Sequence, residues 1–363
     1  MKYPRVLQLI DSLDAGGGER MAVQLANALS EKIHCSALVS SRRSGILEKD
    51  ISSEVIFLYL NKKHSLDIVA LKRLRRFVKT YHINIIHAHS TSFFMATLLK
   101  LSLPKLKLIW HDHYGLSDNL EKRSFKILKL CSLFFSHILS VNLNLKTWAE
   151  NHLKCKNVSF IQNFSLGPLS NESKNKIHLK GPPSSYKIIH VANLRPQKDH
   201  LTALNAIKKL KDKAVNFSYH IIGAYDENTF YYRDISTFIK NNQLEKHVFI
   251  YGGQSHINEL LNQADVGLLS SFSEGLPVSL IEYAQANLPV VVTDVGQCRS
   301  VVGDFAQVIK PKDDDALFEA LQFNINYPKH SQKLALELYK KVTSEFNADL
   351  ILQKLLTIYD EVL

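Results

Sequence analysis

Runs of apolar residues alternate along this chain with stretches of helical periodicity. In the first half, apolar runs at 5–10, 35–39, 83–88, 106–110 and 138–141 predict strands, and the pattern of residues 21–29 predicts a helix. A second series of strands is predicted at 188–191, 219–222, 248–251, 264–269, 290–293 and 307–309. Strands that alternate with helices are typical of parallel sheets with helices on both faces. We therefore predict an α/β protein with two doubly wound parallel-sheet domains facing a cleft.

The boundary between the two series is marked by a change in composition. Residues 167–185 are rich in Pro, Ser, Asn and Lys and have no hydrophobic period, which is typical of a linker. We therefore predict an amino-terminal domain at 1–168 and a carboxy-terminal domain at 169–345. The pattern of residues 349–362 is helical, and a helix at about 346–363 could pack back on the first domain.

Composition and charge narrow the class of protein. With 45% hydrophobic and 22% charged residues, the 363-residue chain resembles ordinary globular proteins. The four cysteines form no CxxC motif and are expected to be buried thiols. The first residues enter a strand with no signal-peptide pattern, and the apolar segment 127–141 is too polar to span a bilayer. We expect a cytoplasmic protein that is not integral to a membrane.

The excess of positive charge lies in the first half of the chain. Residues 1–170 hold 24 Lys and Arg against 12 Asp and Glu, which gives +12, whereas the remainder carries −1. The stretch 71–79 predicts an amphipathic helix with a cationic face, which could contact anionic lipid on the inner face of the cell membrane. A solvated helix face explains the same pattern equally well. Nucleic acid is not expected as a partner, because no module that binds it is present.

Two glutamates eight positions apart, Glu274 and Glu282, carry the strongest candidate chemistry. Glu274 follows a predicted buried strand, and Pro277 suits the first position of a helix that would contain Glu282. Ligands of open α/β sheets bind at the carboxyl ends of the strands, and a helix amino terminus favours anions. The pair therefore suits a ligand with hydroxyl groups and a phosphate. A capping and solvent-exposed pair is the alternative.

Other strand ends carry further candidates. Glycines 16–18 follow the first strand and could let a phosphate or sugar approach the backbone, although a plain tight turn is the alternative. The absence of GxGxxG disfavours a nicotinamide or flavin dinucleotide. His111 and His113 follow a strand, so we expect these rings to face the crevice, where either could act as a base or hydroxyl partner. His87 and His89 end the preceding strand and could also reach the crevice, although we expect at least one of them to be structural. The His-x-His spacing also allows a metal, which we do not expect because no third ligand cluster is evident.

The loop after the first strand of the second half is cationic. Arg195 and Lys198 lie between this strand and the next predicted helix, which suits a diphosphate whose charge grows as it leaves. A solvated loop is again the alternative. Gly223 ends the next strand and could let a nucleotide approach closely.

Taken in order, these motifs resemble family 4 of the glycosyltransferases, which are retaining enzymes of the GT-B architecture with two Rossmann-like domains. The resemblance covers nearly the whole chain and is strongest at 251–302, where Glu274-Gly275-Leu276-Pro277 and Glu282-Tyr283-Ala284 stand in family order. The segment Gly16-Gly17-Gly18-Glu19 matches a Gly-Gly-x-Glu motif near the amino terminus.

The resemblance implies roles for individual residues. Glu274 would bind hydroxyls of the donor sugar, with Gly275 and Leu276 beside it, and Glu282 would bind the ribose. Lys198 would hold the diphosphate together with an arginine.

The usual arginine position is occupied by Asn193, so Arg195 is the best substitute. The family's histidine corresponds to His111 or to its competitor His113, with His89 as a further candidate base. Gly16 and Gly17 would approach the donor phosphate or the acceptor.

The resemblance also implies the reaction. The chain would transfer a sugar from a nucleoside-diphosphate sugar to a glycan or lipid-linked acceptor in cell-surface polysaccharide biosynthesis. It would need neither cofactor nor metal, and UDP is the first expectation for the nucleotide, with GDP second. A catalytically idle nucleotide-sugar-binding or scaffold protein and a sugar-nucleotide epimerase are the alternatives; the glutamate motif and the Gly-Gly-x-Glu segment argue against the epimerase.

Overall fold

The computed structural model describes residues 4–115, 120–164, 177–255 and 257–363. They form two compact units. Unit 1 contains the chain up to Leu166 together with Ala348–Leu363, and unit 2 contains Gly167–Asn347. The division at 166/167 falls among residues outside the described part, as does the predicted boundary at 168. The latter part of the predicted linker is packed, because Leu179 is buried in the core of unit 2.

Unit 1 is built on a seven-stranded parallel sheet. Its strands are β1 (Arg5–Ser12), β2 (Cys35–Arg43), β3 (Ile56–Tyr59), β4 (Ile85–His89), β5 (Lys107–Asp112), β6 (His137–Ser140) and β7 (Val158–Phe160). Their order in the sheet is β3-β2-β1-β4-β5-β6-β7. The helices that accompany them are α1 (Gly17–Ser30), α2 (Ile68–Thr80), α3 (Phe93–Ser102), α4 (Lys126–Cys131) and α5 (Leu143–His152). The order reverses between β1 and β4, which places a topological switch point there.

Unit 2 repeats this plan with six parallel strands. They are β8 (Tyr186–Val191), β9 (Phe217–Ile222), β10 (Val248–Ile250), β11 (Val266–Leu269), β12 (Val290–Thr293) and β13 (Gln307–Ile309), in the order β10-β9-β8-β11-β12-β13. The helices are α6 (His200–Asp212), α7 (Phe230–Asn241), α8 (Ile257–Leu261), α9 (Val278–Gln285), α10 (Cys298–Val302), α11 (Asp314–Asn326) and α12 (Pro328–Glu345). Here the switch point lies between β8 and β11.

The last helix of the chain, α13 (Ala348–Val362), belongs to unit 1. Its apolar face includes Leu352, Leu355 and Tyr359, which pack in one cluster with residues of β1, β4 and α1. Lys32 and Asp349 add an exposed ion pair at 2.9 Å.

The structure confirms the prediction of two doubly wound parallel sheets and corrects details of it. Strands β3 and β7 were not predicted, because they are short, partly exposed strands at the two edges of their sheet. The four cysteines are free and buried, as predicted. Among the described residues, no helix is both long and apolar enough to cross a membrane.

Candidate active site

The loop between β11 and α9 carries Glu274, as the sequence predicted. Strand β11 is fully buried, and the chain leaves it through Ser270 and Ser271 before it reaches the glutamate. Pro277 is the N-cap of α9 with φ −75° and ψ 116°, so the helix begins at Val278, one residue later than predicted. Glu282 is the fifth residue of this helix, and both glutamates are about 5% exposed. Both carboxylates are thus held within the protein rather than on an open surface.

Lys198 and Glu274 form an ion pair at the switch point of unit 2. Lys198 Nζ lies 2.5 Å from Glu274 Oε1, and Ser271 Oγ donates to the same oxygen at 2.6 Å. The Lys198 side chain keeps 22% of its surface exposed, whereas that of Glu274 keeps 6%. The Lys198 ammonium is therefore accessible to an anionic ligand, whereas the Glu274 carboxylate paired with it is held in place by the buried hydroxyl of Ser271.

Hydrogen bonds between neighbouring loops hold this pair in place. Ser270 Oγ donates to the carbonyl oxygens of Lys198 and Asp199 at 3.0 and 2.9 Å. Phe272 N donates to Gln197 O at 3.0 Å. The loops that follow β8 and β11 are thereby tied together, so the distance between the cation and the carboxylate is fixed by the backbone.

A glycine that the sequence analysis did not single out supports the Glu274 loop from the other side. Gly296 has φ +52°, and a Cβ placed on it would lie 2.1 Å from the carbonyl oxygen of Glu274. Its neighbour Gln297 donates its backbone N–H to Gly275 O at 3.0 Å. Only glycine combines this backbone conformation with so close an approach. Leu276, a predicted donor contact, is 5% exposed and packs in the core of unit 2.

Asn193 and Arg195 have different environments. Asn193 Oδ1 accepts a hydrogen bond from Ala224 N at 2.8 Å, which ties the end of β8 to the loop after β9. Arg195 is exposed, and no ion pair in the described part of the chain includes it. Gly223 lies beside the same loop, where a Cβ would be 2.1 Å from Ala192 O. Close packing of two strand ends therefore accounts for Gly223 without a nucleotide.

In unit 1, the glycine segment is the start of a helix rather than a loop. The predicted helix at 21–29 in fact begins at Gly17, with Gly16 as its N-cap and without a side-chain cap. A Cβ on Gly17 would meet no atom within 4 Å, whereas one on Gly18 would lie 3.4 Å from His113 Cβ. The first N–H groups of a helix have no partner within it, so an anion or a hydroxyl oxygen is favoured at this end.

Four histidines form one stack beside this helix start: His87 and His89 of β4, His111 of β5, and His113 just after β5. The register pairs His89 with His111, and the ring centroids of neighbouring histidines lie 4.1–5.5 Å apart. His87 Nε2 lies 3.1 Å from His111 Nδ1, and His89 Nδ1 lies 3.0 Å from His113 Nε2. The prediction that the ring faces a crevice is wrong for His111, which is 1% exposed. His87 and His89 are both fully buried, so neither reaches a crevice, and His113 alone of the four is partly exposed.

The surroundings of the stack keep its rings neutral. Burial, and secondarily the neighbouring rings, lower the pKa of His87, His89 and His111 well below the ordinary histidine value. Burial also lowers the pKa of His113 to about 3, although part of the residue reaches solvent. At neutral pH each ring thus offers one N–H donor and one bare nitrogen.

The residue between His111 and His113 has a structural partner. Asp112 is buried, and Arg123 binds both of its oxygens at 2.6 and 2.9 Å. Burial raises the pKa of Asp112, and Arg123 acts against that shift. The guanidinium lies 4.3 and 4.4 Å from the ring centroids of Trp148 and Tyr114. This arrangement fixes the chain on both sides of His113.

His87, His89 and His111 could in principle hold a metal ion. Each offers one ring nitrogen, and these atoms lie within 4.8 Å of one another. The sequence alone shows no third ligand, and the structure supplies one by placing β4 beside β5. However, His87 Nε2 and His111 Nδ1 are hydrogen-bonded to each other, and both nitrogens of His89 are engaged by His113 and Gln8.

Three supporting residues were missed in the sequence. Ser271 and Gly296 lie in loops after strands, where a polar residue and a glycine are too common to stand out. Gln8 contacts both His89 and Tyr359, as described below. Its signal was present, because it is the single polar residue within the apolar run 6–10.

Sequence models of two families match this chain. The family described as Glycosyltransferase Family 4 matches residues 15–164, and that described as Glycosyl transferases group 1 matches residues 170–341. Together the two matches cover nearly all of both units.

Individual proteins match over different lengths. The O-antigen biosynthesis glycosyltransferase WbnH of Escherichia coli is 24% identical over 85% of this chain and 86% of its own. A Campylobacter jejuni N,N'-diacetylbacillosaminyl-diphospho-undecaprenol alpha-1,3-N-acetylgalactosaminyltransferase is 29% identical, but the match covers only 42% of this chain and 39% of that protein. The structure of Anabaena Alr3699/HepE with UDP and glucose is 15% identical, has a TM-score of 0.79, and covers 99% of this chain and 100% of its own.

Proposed function

Because the chain belongs to the glycosyltransferases of family 4, with the GT-B fold, we propose that it transfers a sugar with retention from a nucleoside-diphosphate sugar. The proposed acceptor is a glycan or a lipid-linked saccharide in the assembly of a cell-surface polysaccharide. The observation that carries this proposal is the pair of Lys198 and Glu274 at the switch point of unit 2.

The proposed donor site uses both members of that pair. A diphosphate needs a cation that it can reach, and the Lys198 ammonium is partly exposed beside the exposed Arg195. A sugar needs hydrogen-bond acceptors for its hydroxyls, and the carboxylate of Glu274, which Lys198 and Ser271 hold in place, is such an acceptor. Glu282, one and a half turns into α9, would take the ribose hydroxyls. HepE, with the same fold, has been crystallised with UDP and with UDP-glucose, which supports UDP as the first candidate.

The proposed chemistry follows from where charge develops. Cleavage of the sugar–phosphate bond leaves positive charge on the sugar ring and additional negative charge on the diphosphate. Lys198 and Arg195 would stabilise the diphosphate, and the fixed carboxylate of Glu274 would favour the cationic sugar. Because side chains supply this stabilisation, the reaction would need no metal. The departing phosphate would take the proton of the acceptor hydroxyl on the face it leaves, which gives retention.

The proposed acceptor rests on the relatives. WbnH is named for O-antigen biosynthesis, and the Campylobacter relative is named for a sugar carried on diphospho-undecaprenol. His113 would accept a hydrogen bond from a saccharide hydroxyl, because it is the one member of the histidine stack that reaches solvent. This is our choice between His111 and His113.

We also propose that unit 1 contacts anionic membranes through the start of α2. Leu66, Ile68 and Val69 are 64–70% exposed there, and the exposed Lys72 and Arg76 follow on the same helix. Apolar residues beside cations are what an anionic bilayer surface binds. Arg73 has a structural role in addition, since it donates to the carbonyl oxygens of Tyr59 and Leu60.

Vesicle co-sedimentation tests the membrane contact. Replacing Ile68 and Val69 with serine should release the protein from phosphatidylglycerol vesicles, and Lys72→Glu with Arg76→Glu should do the same at low salt. The matched control is Leu336→Ser, an exposed leucine of α12 in unit 2. If both α2 variants sediment like the unchanged protein, the start of α2 is only a solvated surface.

The proposed reaction is tested first by a thermal-shift screen with nucleotide sugars and then by turnover. A donor that binds only the native state raises Tm, by an amount that grows with concentration. The best donor should yield nucleoside diphosphate faster when saccharide acceptors are added. A protein that binds the donor without turnover would be a scaffold, and one that converts the sugar without releasing diphosphate would be an epimerase; either result would refute the proposal.

A further inference from the structure

Gln8 lies at the centre of a hydrogen-bond network within unit 1. It is fully buried in β1, in register with His87 of β4. Its Oε1 lies 2.8 Å from His89 Nε2, and its Nε2 donates to Tyr359 Oη at 3.4 Å. Tyr359 Oη in turn lies 2.7 Å from His87 Nδ1. One amide therefore connects both branches of the histidine stack.

The first branch runs from Gln8 to His113. An amide oxygen only accepts hydrogen bonds, so His89 must carry its proton on Nε2. Neutral His89 then has a bare Nδ1, which can only accept from His113 Nε2–H, 3.0 Å away. His113 is consequently left with a bare Nδ1, which no hydrogen bond within the described residues engages.

The second branch runs from Gln8 to His111. The amide nitrogen of Gln8 donates to Tyr359, so the tyrosine hydroxyl is free to donate to His87 Nδ1. His87 then carries its proton on Nε2 and donates it to His111 Nδ1 at 3.1 Å. His111 must therefore be protonated on Nε2, which is buried and has no partner among the described residues.

We infer that Gln8 is a positioning residue that sets the tautomer of all four histidines and presents His113 Nδ1 as a hydrogen-bond acceptor for a hydroxyl-bearing ligand. This inference rests on the proposed function for the identity of that ligand, a sugar hydroxyl. Rotating the Gln8 amide by half a turn would reverse each hydrogen bond in both branches and place a proton on His113 Nδ1. With a proton on Nδ1, His113 could not accept a hydrogen bond from the ligand hydroxyl.

The position of Gln8 supports a specific role. An amide in a strand whose neighbours are apolar costs free energy unless its polar groups are satisfied. Here both ends of the amide are used, and its two partners come from β4 and from α13, which is 351 residues away in sequence. Tyr359 thus links the last helix of the chain to the histidine stack.

The tautomers can be measured directly in the full-length protein by imidazole ¹⁵N NMR, because protonated and bare ring nitrogens have well-separated shifts. Signals are assigned by replacing one of the four histidines at a time. The unchanged protein should show protonated Nε2 and bare Nδ1 at all four rings. Protonated Nδ1 at His89 or His113 would overturn the inference.

Two variants separate the branches. Gln8→Met removes both hydrogen bonds at nearly constant volume, so each of the four rings should become a mixture of tautomers. Tyr359→Phe cuts only the link to His87, so His87 and His111 should become mixtures while His89 and His113 keep their protons on Nε2. A single unchanged tautomer at His113 in Gln8→Met, or a change at His113 in Tyr359→Phe, would refute the positioning role. If Gln8→Met does not fold, the unchanged protein and Tyr359→Phe still decide the question.

Turnover provides a second measurement. If the two tautomers of His113 become equally populated, the competent fraction falls to about half, and kcat/KM should fall about twofold in Gln8→Met. Tyr359→Phe should retain kcat/KM. The NMR result requires no substrate, so it can fail while the proposed transfer reaction stands, and the reverse also holds.

Discussion

Replacing Glu274 with glutamine removes one negative charge from the proposed donor site and almost no volume. The amide oxygen can still accept hydrogen bonds from Lys198 Nζ and Ser271 Oγ, which lie 2.5 and 2.6 Å from Glu274 Oε1 in the unchanged protein. The ammonium of Lys198 loses its counter-charge, but its side chain is 22% exposed and solvent screens that loss. We therefore expect a cost in unfolding free energy of about 1 kcal/mol, which lowers Tm by about 2–4 °C for a unit of this size.

The effect on turnover should be much larger than the effect on stability. A carboxylate beside the donor sugar stabilises the positive charge that develops on the ring, and a neutral amide does not. Loss of one such preorganised group costs about 100- to 1,000-fold in kcat, or about 3–4 kcal/mol. The predicted Glu274→Gln enzyme is thus nearly as stable as the unchanged protein but at least about 100-fold slower.

The assay is release of nucleoside diphosphate from the donor that gives the largest thermal shift. Asp265→Asn is the matched control, because Asp265 lies at the other end of the same strand and accepts a hydrogen bond from Lys187 N at 2.7 Å. It should lose a similar amount of stability and keep its turnover. Turnover within about fivefold of normal in Glu274→Gln, or an equal loss in Asp265→Asn, would refute the assignment.

Three further predictions address the cations, the histidines and the metal. Lys198→Ala should weaken binding of nucleoside diphosphate about tenfold by calorimetry, whereas Lys208→Ala, on the exposed face of α6, should not; equal affinities would contradict the diphosphate site. Burial holds the pKa of His113 at about 3, against 6.5 in the unfolded chain. Between pH 3 and pH 6.5 the unfolded chain therefore binds a proton that the folded protein does not, so stability falls as the pH drops through this window. From pH 7 to pH 5 this one ring should lower the free energy of unfolding by about 2 kcal/mol. Urea unfolding measures this change through the fluorescence of the two tryptophans, which both lie in unit 1. His113→Asn should remove that part of the pH dependence, whereas the control His330→Asn should leave it unchanged. Excess EDTA should leave turnover unchanged, and activity lost to EDTA and restored by zinc would assign a metal to the histidine stack.

The sequence predicted most of what is local in this protein. Strand β11 and the loop with Glu274 could be located because a buried parallel strand is a continuous apolar run and the following helix begins near a proline. The start of α1 was misplaced because Gly16 gives no side-chain cap, and three glycines indicate a turn when they stand alone in sequence. The edge strands β3 and β7 lacked the length and burial that make a strand recognisable.

The supporting contacts of both candidate sites could not be predicted in the same way. The ion pair of Lys198 with Glu274 joins residues 76 apart, and it exists because β8 and β11 are neighbours at the switch point. The hydrogen bond from Gln8 to Tyr359 depends on the return of α13 to unit 1. A sequence pattern shows the type of element and its buried face, whereas such pairings depend on sheet order and packing.

The most direct test of the central claim is a crystal structure of the protein with a bound nucleoside diphosphate. We predict that the diphosphate lies at the carboxyl ends of β8 and β11, with an oxygen within hydrogen-bond distance of Lys198 Nζ and the ribose beside Glu282. A nucleotide bound elsewhere, with the ends of these two strands unoccupied, would contradict the account.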